Sequence, residues 1–264
     1  MRDETTRTFP SGGKALSSGN KTFAARDQRY PRLLDMLDPA DRAFLLASAI
    51  ERAVAKHQLL YHQGDASDNL FVIKSGTIKV HYIHDNGNSQ TTSYYRDGML
   101  VGAHGCTPWS GSHSWSAQAL VDCRVFWLRR ADYLELIERS PRALRCALAI
   151  SEFKGELLKR VIRILAEPTL EQRIAMAVRH LATLYGIERG GDWEIDGHFT
   201  HQEIAEMVGA SRQSVTTLLV SLEESGHIKR VGRRLFVPAE APDPVDVAPL
   251  EQLIRVERAP VLEI

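Results

Sequence analysis

Hydrophobic positions change their spacing twice along the chain. From Arg32 to Ala55 they recur three and four residues apart, and Asp38-Pro39 divides this stretch into two predicted helices. Short β-branched and aromatic runs separated by glycines follow, with a hairpin predicted at the Asp85-Asn86-Gly87 turn and a last strand over Ala117–Leu128. The sequence therefore predicts a small antiparallel β-roll over residues 57–129.

Helical spacing returns at Tyr133 and is most regular from Arg142 to Ala166, before Pro168 ends the helix. Two apolar stripes run along this helix. One consists of Ala143, Ala147, Ile150, Leu157, Val161 and Ile164, and the other of Leu144, Leu148, Leu158, Ile162 and Leu165. Steps of four and three residues, interrupted at Lys154-Gly155, are the heptad pattern of a helix seam. One stripe is expected to pack on the roll and the other on a second chain; the alternative is a core helix buried on both faces.

Residues 169–237 predict three helices and a terminal hairpin. The helices span Leu170–Tyr185, Thr200–Val208 and Arg212–Gly226. Thr169 and Thr200 are each followed three residues later by Gln or Glu, which is the capping-box pattern. Because the Gly209-Ala210 turn separates the last two helices, the segment has the helix-turn-helix layout, whose second helix enters the DNA major groove.

Polar residues occupy the outward positions of that last helix. Arg212 and Gln213 can make bidentate hydrogen bonds to guanine and adenine, and Thr217 can reach a phosphate or a thymine methyl group. The hairpin carries four cations beside Gly232 and resembles a wing that contacts backbone phosphates. The predicted DNA contacts are Thr200, His201, Ser211, Arg212, Gln213, Ser214, Thr216, Thr217, Lys229, Arg230, Arg233 and Arg234. The alternative is a small helical bundle with a solvated charged face.

Composition agrees with a globular protein of 264 residues, 44% of them hydrophobic. Its 33 Lys and Arg balance 33 Asp and Glu, and this neutral average argues against a nucleic-acid partner. The balance is not local, however: residues 209–237 carry five cations and two carboxylates, a net charge of +3. Acidic residues such as Asp192 and Glu194 lie just upstream.

Three cysteines, Cys106, Cys123 and Cys146, cannot form a disulfide framework or a C-x-x-C metal site. The sequence has neither a secretory signal nor an apolar run long enough to span a membrane, so a cytoplasmic protein is expected. Motifs such as H-E-x-x-H, G-x-S-x-G and the P-loop are absent, so no enzymatic activity is expected.

The chain resembles the Crp/Fnr family of transcription regulators over about residues 32–237. The resemblance is carried by HQGDASDNLFVIKSGTIKV in the roll, by the long helix before Pro168, and by HQEIAEMVGASRQSV in the helix-turn-helix. It implies an α+β fold with an antiparallel, cyclic-nucleotide-binding-type β-roll as sensor domain, a long dimerisation helix and a C-terminal winged helix-turn-helix. The partners it implies are palindromic double-stranded DNA, a second copy of the chain and RNA polymerase. The expected organisation is a disordered arm (1–31), the sensor domain (32–140), the dimerisation helix (141–167), the DNA-binding domain (168–238) and a tail (239–264).

Cyclic-nucleotide members of this family bind their ligand through a Gly-Glu-Leu turn and an Arg-Ser pair. The corresponding positions here are Gly102-Ala103-His104 and His113-Ser114, and the residues presented to the purine become Leu158 and Lys159. Because the carboxylate and the guanidinium are both missing, a cyclic nucleotide is not the expected effector. An iron–sulfur cluster, which needs four cysteine ligands, is excluded by the cysteine count.

An organic or aromatic effector is favoured, because aromatic residues including Tyr94, Tyr95 and Trp115 are expected to cluster near one pocket. Haem is a second hypothesis, since His104 stands where the family's haem-based sensor carries a ligating histidine, although Gly102 replaces the accompanying cysteine. A regulator without an effector is the third. No metal ligand is expected other than His104 if haem binds. The predicted effector-binding residues are Tyr94, Gly102, Ala103, His104, Trp109, His113, Ser114, Trp115 and Leu158.

Overall fold

The computed structural model describes residues 30–102, 111–195, 199–232 and 234–238. Two short helices, α1 (Leu33–Met36) and α2 (Pro39–Ala47), precede the roll. The roll's strands are β1 (Ile50–Val54), β2 (Leu59–Tyr61), β3 (Asn69–Ser75), β4 (Ile78–Ile83), β5 (Ser89–Tyr95), β6 (Leu100–Val101), β7 (Ser116–Ala119) and β8 (Cys123–Arg129). Two antiparallel sheets, ordered β1-β8-β3-β6 and β2-β7-β4-β5, confirm the expected roll.

Two sequence-based boundaries were wrong in the roll. Helical spacing predicts helix as far as Ala55, but Ile50–Val54 is an edge strand paired with β8. Its five residues have only weak helical periodicity, and the ladder with β8 provides their backbone hydrogen bonds. The single strand predicted over Ala117–Leu128 is two strands, since Leu120 turns away to donate its backbone N–H to the carbonyl of Thr77.

The centre of strand β3, Leu70 to Ile73, is buried on both faces. Phe71 and Ile73 point into the roll, whereas Leu70 and Val72 belong to a second core. That second core is completed by α1, α3 (Arg130–Arg139) and the first half of α4 (Pro141–Ala166). This second core therefore joins the roll to the first half of the long helix α4.

The two faces of α4 differ in burial as its two stripes predicted. Every member of the first stripe is buried, whereas the members of the second are 39–66% exposed. A helix buried on both faces is thus contradicted. Ser151 and Gly155 continue the three- and four-residue steps of the second stripe, and a Cβ atom at Gly155 would meet nothing within 4 Å. The exposed face is a continuous seam from Leu144 to Leu165, with small residues at its centre.

The C-terminal unit is a winged helix-turn-helix. Its elements are α5 (Leu170–Tyr185), β9 (Ile187–Arg189), β10 (Asp192–Ile195), α6 (His201–Val208), α7 (Arg212–Glu224), β11 (Lys229–Val231) and β12 (Arg234–Pro238). The strands form one sheet in the order β11-β12-β10-β9. The β9–β10 hairpin was not predicted, because its residues are mostly charged; only the Gly190-Gly191 turn indicated it.

The two predicted capping boxes differ in the structure. Thr169 and Gln172 cap α5 reciprocally, as predicted. At α6, Thr200 accepts a hydrogen bond from the backbone N–H of Glu203, but the Glu203 side chain does not return to Thr200. It points to the roll instead, where Lys79 and Tyr94 bind it.

His180 links the stability of this unit to pH. Burial in α5 and the nearby Arg160 cation lower the pKa of His180 to about 3, from an ordinary value of 6.5. The folded state therefore favours the neutral ring, so this stabilisation is complete above pH 6.5 and is lost as the pH falls towards 3. We expect the free energy of unfolding to fall by about 2 kcal/mol between pH 7 and pH 5 through His180 alone.

Urea unfolding of His180→Leu at both pH values, at fixed protein concentration, measures this contribution. The variant should lack that part of the pH dependence, whereas the exposed control His62→Leu should keep it. Parallel pH profiles for His180→Leu and the wild type would contradict the assignment.

Candidate functional site

The last predicted helix, α7, has one buried and one exposed face. Val215, Leu219 and Leu222 pack into the core, and Arg212 and Gln213 are exposed in the first turn. The preceding turn is tight because Gly209 adopts a left-handed conformation with φ 66°. This is the helix-turn-helix geometry, with the predicted base-reading side chains on the solvent side.

Hydroxyl groups organise the exposed face of α7. Ser211 caps the helix by accepting from the backbone N–H of Ser214 at 3.1 Å. The hydroxyls of Thr216 and Thr217 donate to the carbonyl oxygens of Arg212 and Gln213 at 2.9 and 3.2 Å. With its proton used in this way, Thr217 offers a methyl group and acceptor lone pairs. Contact with a thymine methyl group suits it better than contact with a phosphate.

A cleft of about 390 Å³ lies between the start of α6, α7 and the β11–β12 hairpin. Its polar lining consists of Thr200, His201, Arg212, Arg230 and Arg234. The Nδ1 atom of His201 is 2.9 Å from the hydroxyl of Thr216. Burial and the cations of Arg230 and Arg212 lower the pKa of His201. Guanidinium groups beside a helix N-terminus make this cleft suitable for a phosphate.

The predicted wing cations are already paired with carboxylates. The pairs are Lys229 with Asp192 at 2.8 Å, Arg230 with Glu223 at 2.6 Å, and Arg234 with Glu194 at 3.4 Å. The side chains of Lys229 and Arg234 are 60% and 63% exposed, so both cations can reach a DNA phosphate, whereas Glu194, the partner of Arg234, is buried and also binds Arg189. Arg212 has no ion-pair partner in the described part of the chain, and Arg233 lies outside it. Arg212 is therefore available to DNA without the loss of an existing contact.

In the sensor domain, His113 is buried and stacks on Tyr61, with ring centroids 3.6 Å apart. Burial lowers the pKa of His113; Asp65 opposes this shift, and the cations of Arg130 and Lys154 add to it. The imidazole is therefore neutral at pH 7 and provides no fixed charge for a phosphate. Ser114 beside it is exposed.

Lys154 was not among the predicted effector residues. It lies on α4, and its ammonium donates to the carbonyl oxygen of Gly102 at 3.3 Å. The same ammonium lies 5.5 Å from the centre of the Tyr95 ring. Burial lowers the pKa of Lys154 to about 7. The interruption of the α4 stripes at this residue was the available sequence signal.

The expected cluster of aromatic side chains is only partly present. Tyr94 was wrongly grouped with Tyr95, because neighbouring strand residues point to opposite faces. Its ring packs on Phe199 and Tyr185, and its hydroxyl binds Glu203 of α6. Trp115 is half-buried against the edge of Tyr82, and Leu158 lies on the exposed seam of α4. Ala103, His104 and Trp109 lie outside the described residues, so the haem hypothesis stays a prediction.

Over the described ranges, no group of three or more His, Cys, Asp and Glu residues could hold a metal ion. Within the same ranges, no helix combines the length and hydropathy needed to cross a membrane.

Both the sensor domain and the DNA-binding unit match models of known protein families. Residues 51–140 match a family model of the cyclic nucleotide-binding domain, and residues 159–241 match one of the Crp-like helix-turn-helix domain. The anaerobic regulatory protein of Haemophilus influenzae is 27% identical over 239 residues, covering 85% of this chain and 88% of that protein. The fumarate and nitrate reduction regulatory protein of Escherichia coli K12 is 28% identical over 196 residues, covering 73% and 77%.

Solved structures share the same architecture. The c-di-GMP responsive global regulator CLP of Xanthomonas campestris superimposes with a TM-score of 0.65 at 19% identity, covering 76% of this chain and 99% of that chain. At this identity the likeness establishes the fold alone, and it confirms the expected α+β class.

Proposed function

Because this chain belongs to the Crp/Fnr family of transcription regulators, we propose that it binds a two-fold symmetric operator as a homodimer, with one α7 helix in each half-site. The observation that carries the proposal is the exposed first turn of α7, where Arg212 stands without an ion-pair partner among described residues. Arg212 and Gln213 read bases, and Arg230 and Arg234, on the wing side of the cleft, hold a backbone phosphate. RNA polymerase is the further partner that membership of the family suggests.

The seam of α4 supports the dimer. Five large apolar side chains with heptad spacing are exposed along it, and Ser151 and Gly155 allow a second helix to approach closely. A second copy of α4 provides the matching surface for such a seam. Two α7 helices would then be held at a fixed separation, as binding to two half-sites on one face of the DNA requires.

Selection from random DNA tests this function. Duplexes recovered with the purified protein should contain an inverted repeat whose half-sites are centred about one helical turn apart, roughly 10 base pairs. Recovery of a single unpaired motif, or no enrichment over several rounds, would contradict the proposal.

For the sensor domain we propose an effector that combines an aromatic ring with an anionic group. The neutral, stacked His113 does not favour a cyclic phosphate, whereas Lys154 places an amine beside the ring of Tyr95. An anion would bind the protonated amine, and the aromatic side chains would cover the ring.

Thermal unfolding in the presence of ligands tests the effector class. A panel of aromatic carboxylates and phenols should contain compounds that raise the melting temperature, and cyclic AMP should not raise it. Because an anion favours the protonated form of Lys154, the shift for a carboxylate should be larger at pH 6 than at pH 8.

In Lys154→Met this ligand-dependent shift should vanish, whereas the exposed control Lys159→Met should keep it. Stabilisation by cyclic AMP, or a full response in Lys154→Met, would contradict this part of the proposal.

A further inference from the structure

A buried polar cluster joins the sensor domain to the DNA-binding unit. The ammonium of Lys79, on β4, lies 2.8 Å from a carboxylate oxygen of Glu206 and 3.3 Å from one of Glu203, both on α6. Tyr94, opposite Lys79 on β5, donates to Glu203 at 2.9 Å. The side chains of Lys79, Glu203 and Glu206 are each 13% exposed or less. Hence the first helix of the helix-turn-helix is held to the outer face of the β4–β5 hairpin by charge as well as by apolar packing.

The charges within the cluster depend on one another. Burial raises the pKa of Glu203, which makes its charged form dependent on Lys79. Burial alone would also raise the pKa of Glu206, but hydrogen bonds from Lys79 and Gln202 hold it below its ordinary value. His81, on β4, has a pKa lowered by burial and by Lys79, so it adds no second positive charge. Removal of Lys79 would leave carboxylates buried without a cation, a situation that is strongly unfavourable.

Further contacts bring the turn of the helix-turn-helix into the same interface. The side chain of Gln90, on β5, donates to the carbonyl oxygen of Met207 at 3.0 Å. A Cβ atom at Gly209 would lie 3.5 Å from Gln90 and 4.0 Å from Leu165 at the end of the α4 seam. The helix that precedes α7 is therefore fixed along its length, while Arg212 and Gln213 stay exposed. Docking of α6 positions the DNA-reading surface and does not cover it.

We infer that Lys79, Glu203 and Glu206 form a latch that holds the DNA-binding unit in one orientation on the sensor domain and thereby sets operator affinity. A latched unit presents both α7 helices at a fixed separation, whereas an undocked unit loses conformational freedom only when it binds DNA, and binds more weakly. This inference rests on the proposed function for its effect on DNA, but the docking itself is independent of DNA.

The latch also lies close to the predicted effector site. Tyr94, on the outer face of β5, contacts the latch, while the next residue, Tyr95, faces the ammonium of Lys154. A displacement of β5 by a ligand beside Lys154 would therefore act directly on the residues that hold α6. This adjacency gives the sensor domain a short physical connection to the DNA-binding unit.

Charge reversal of Lys79 in the full-length protein tests the latch. In Lys79→Glu, amide hydrogens of α6 should exchange at least tenfold faster while those of β3 and β8 stay protected. Affinity for the selected operator should fall about tenfold or more. The matched control is Lys74→Glu, an exposed lysine of β3 paired with Glu51, which should change neither measurement.

The double variant Lys79→Glu/Glu206→Lys restores one cation between two carboxylates, and it should recover operator affinity to within about threefold of the wild type. It also separates loss of the latch from a general failure to fold. Three results would overturn the inference: unchanged α6 exchange in Lys79→Glu, operator affinity equal to or tighter than that of Lys74→Glu, or no recovery in the double variant. If the wild type itself bound no operator, the proposed function would fail, and α6 exchange would still decide whether Lys79 docks the helix.

Discussion

Replacement of Arg212 by alanine should abolish recognition of the operator and leave the dimer folded. Arg212 begins α7, is exposed, and has no ion-pair partner among described residues, so its truncation removes a base contact and little packing. A bidentate contact to a base contributes about 1–3 kcal/mol of discrimination. Over two half-sites the loss is about 2–6 kcal/mol, roughly 30-fold to 10⁴-fold in affinity. Fluorescence anisotropy with the selected operator measures this loss directly.

Binding to a scrambled duplex should weaken only slightly in the same variant, because nonspecific binding depends on phosphate contacts. Arg124→Ala removes an exposed arginine of the sensor domain and is the matched control, with no expected change in operator binding. An Arg212→Ala protein that still protected the wild-type footprint would refute the assignment of α7 as the base-reading helix.

Charged substitutions on the α4 seam should convert the protein to a monomer. Leu148 and Ile162 are 55% and 66% exposed, and Glu at either position would place a charge inside the proposed helix pair. Because a monomer engages one half-site at a time, operator affinity should fall about 100-fold or more. Sedimentation equilibrium gives the molecular mass, and anisotropy gives the affinity.

Ile50→Glu is the control for this experiment, since Ile50 lies on the edge strand β1 and is exposed to the same fraction as Leu148. It should remain dimeric and bind DNA normally. If Leu148→Glu and Ile162→Glu both kept the dimer mass, the exposed stripe would not be the dimer interface.

The helical stripes show what sequence patterns can determine. Leu148 and Ile150 lie two residues apart on α4, and their spacing relative to other apolar residues correctly separated the exposed face from the buried one. The same approach succeeded for α5, α6 and α7, whose caps and turn glycine are local signals. It failed for Ile50–Val54, because an edge strand is defined by its partner β8 and not by its own periodicity.

The roles of Glu203 and Lys154 could not be predicted from local patterns. Glu203 matched a capping box, but tertiary packing brings Lys79 within reach, and that ion pair replaces the predicted local contact. In the sequence, Lys154 only interrupts an apolar stripe. The fold places its ammonium beside Gly102 and Tyr95. Lys79 and Glu203 are 124 positions apart in the sequence, and Lys154 and Gly102 are 52 apart, so these partners are visible only in the folded chain.

Carboxylates near the wing contribute to the neutral net charge. Asp192 and Glu194, on β10, pair with the wing cations Lys229 and Arg234. The acidic residues upstream of the helix-turn-helix therefore lie beside the basic residues of the wing in the folded chain. The overall balance of charges therefore does not argue against a DNA partner. We expect DNA phosphates to displace these carboxylates when the wing contacts DNA.

The most direct test of the proposed dimer is the dependence of affinity on half-site spacing. Insertion of five base pairs between the half-sites of the selected operator rotates one of them by about half a turn to the opposite face of the duplex. A dimer that holds two α7 helices at fixed separation should then bind no more tightly than to a single half-site. Equal affinity for the operator and the five-base-pair insertion would contradict the account.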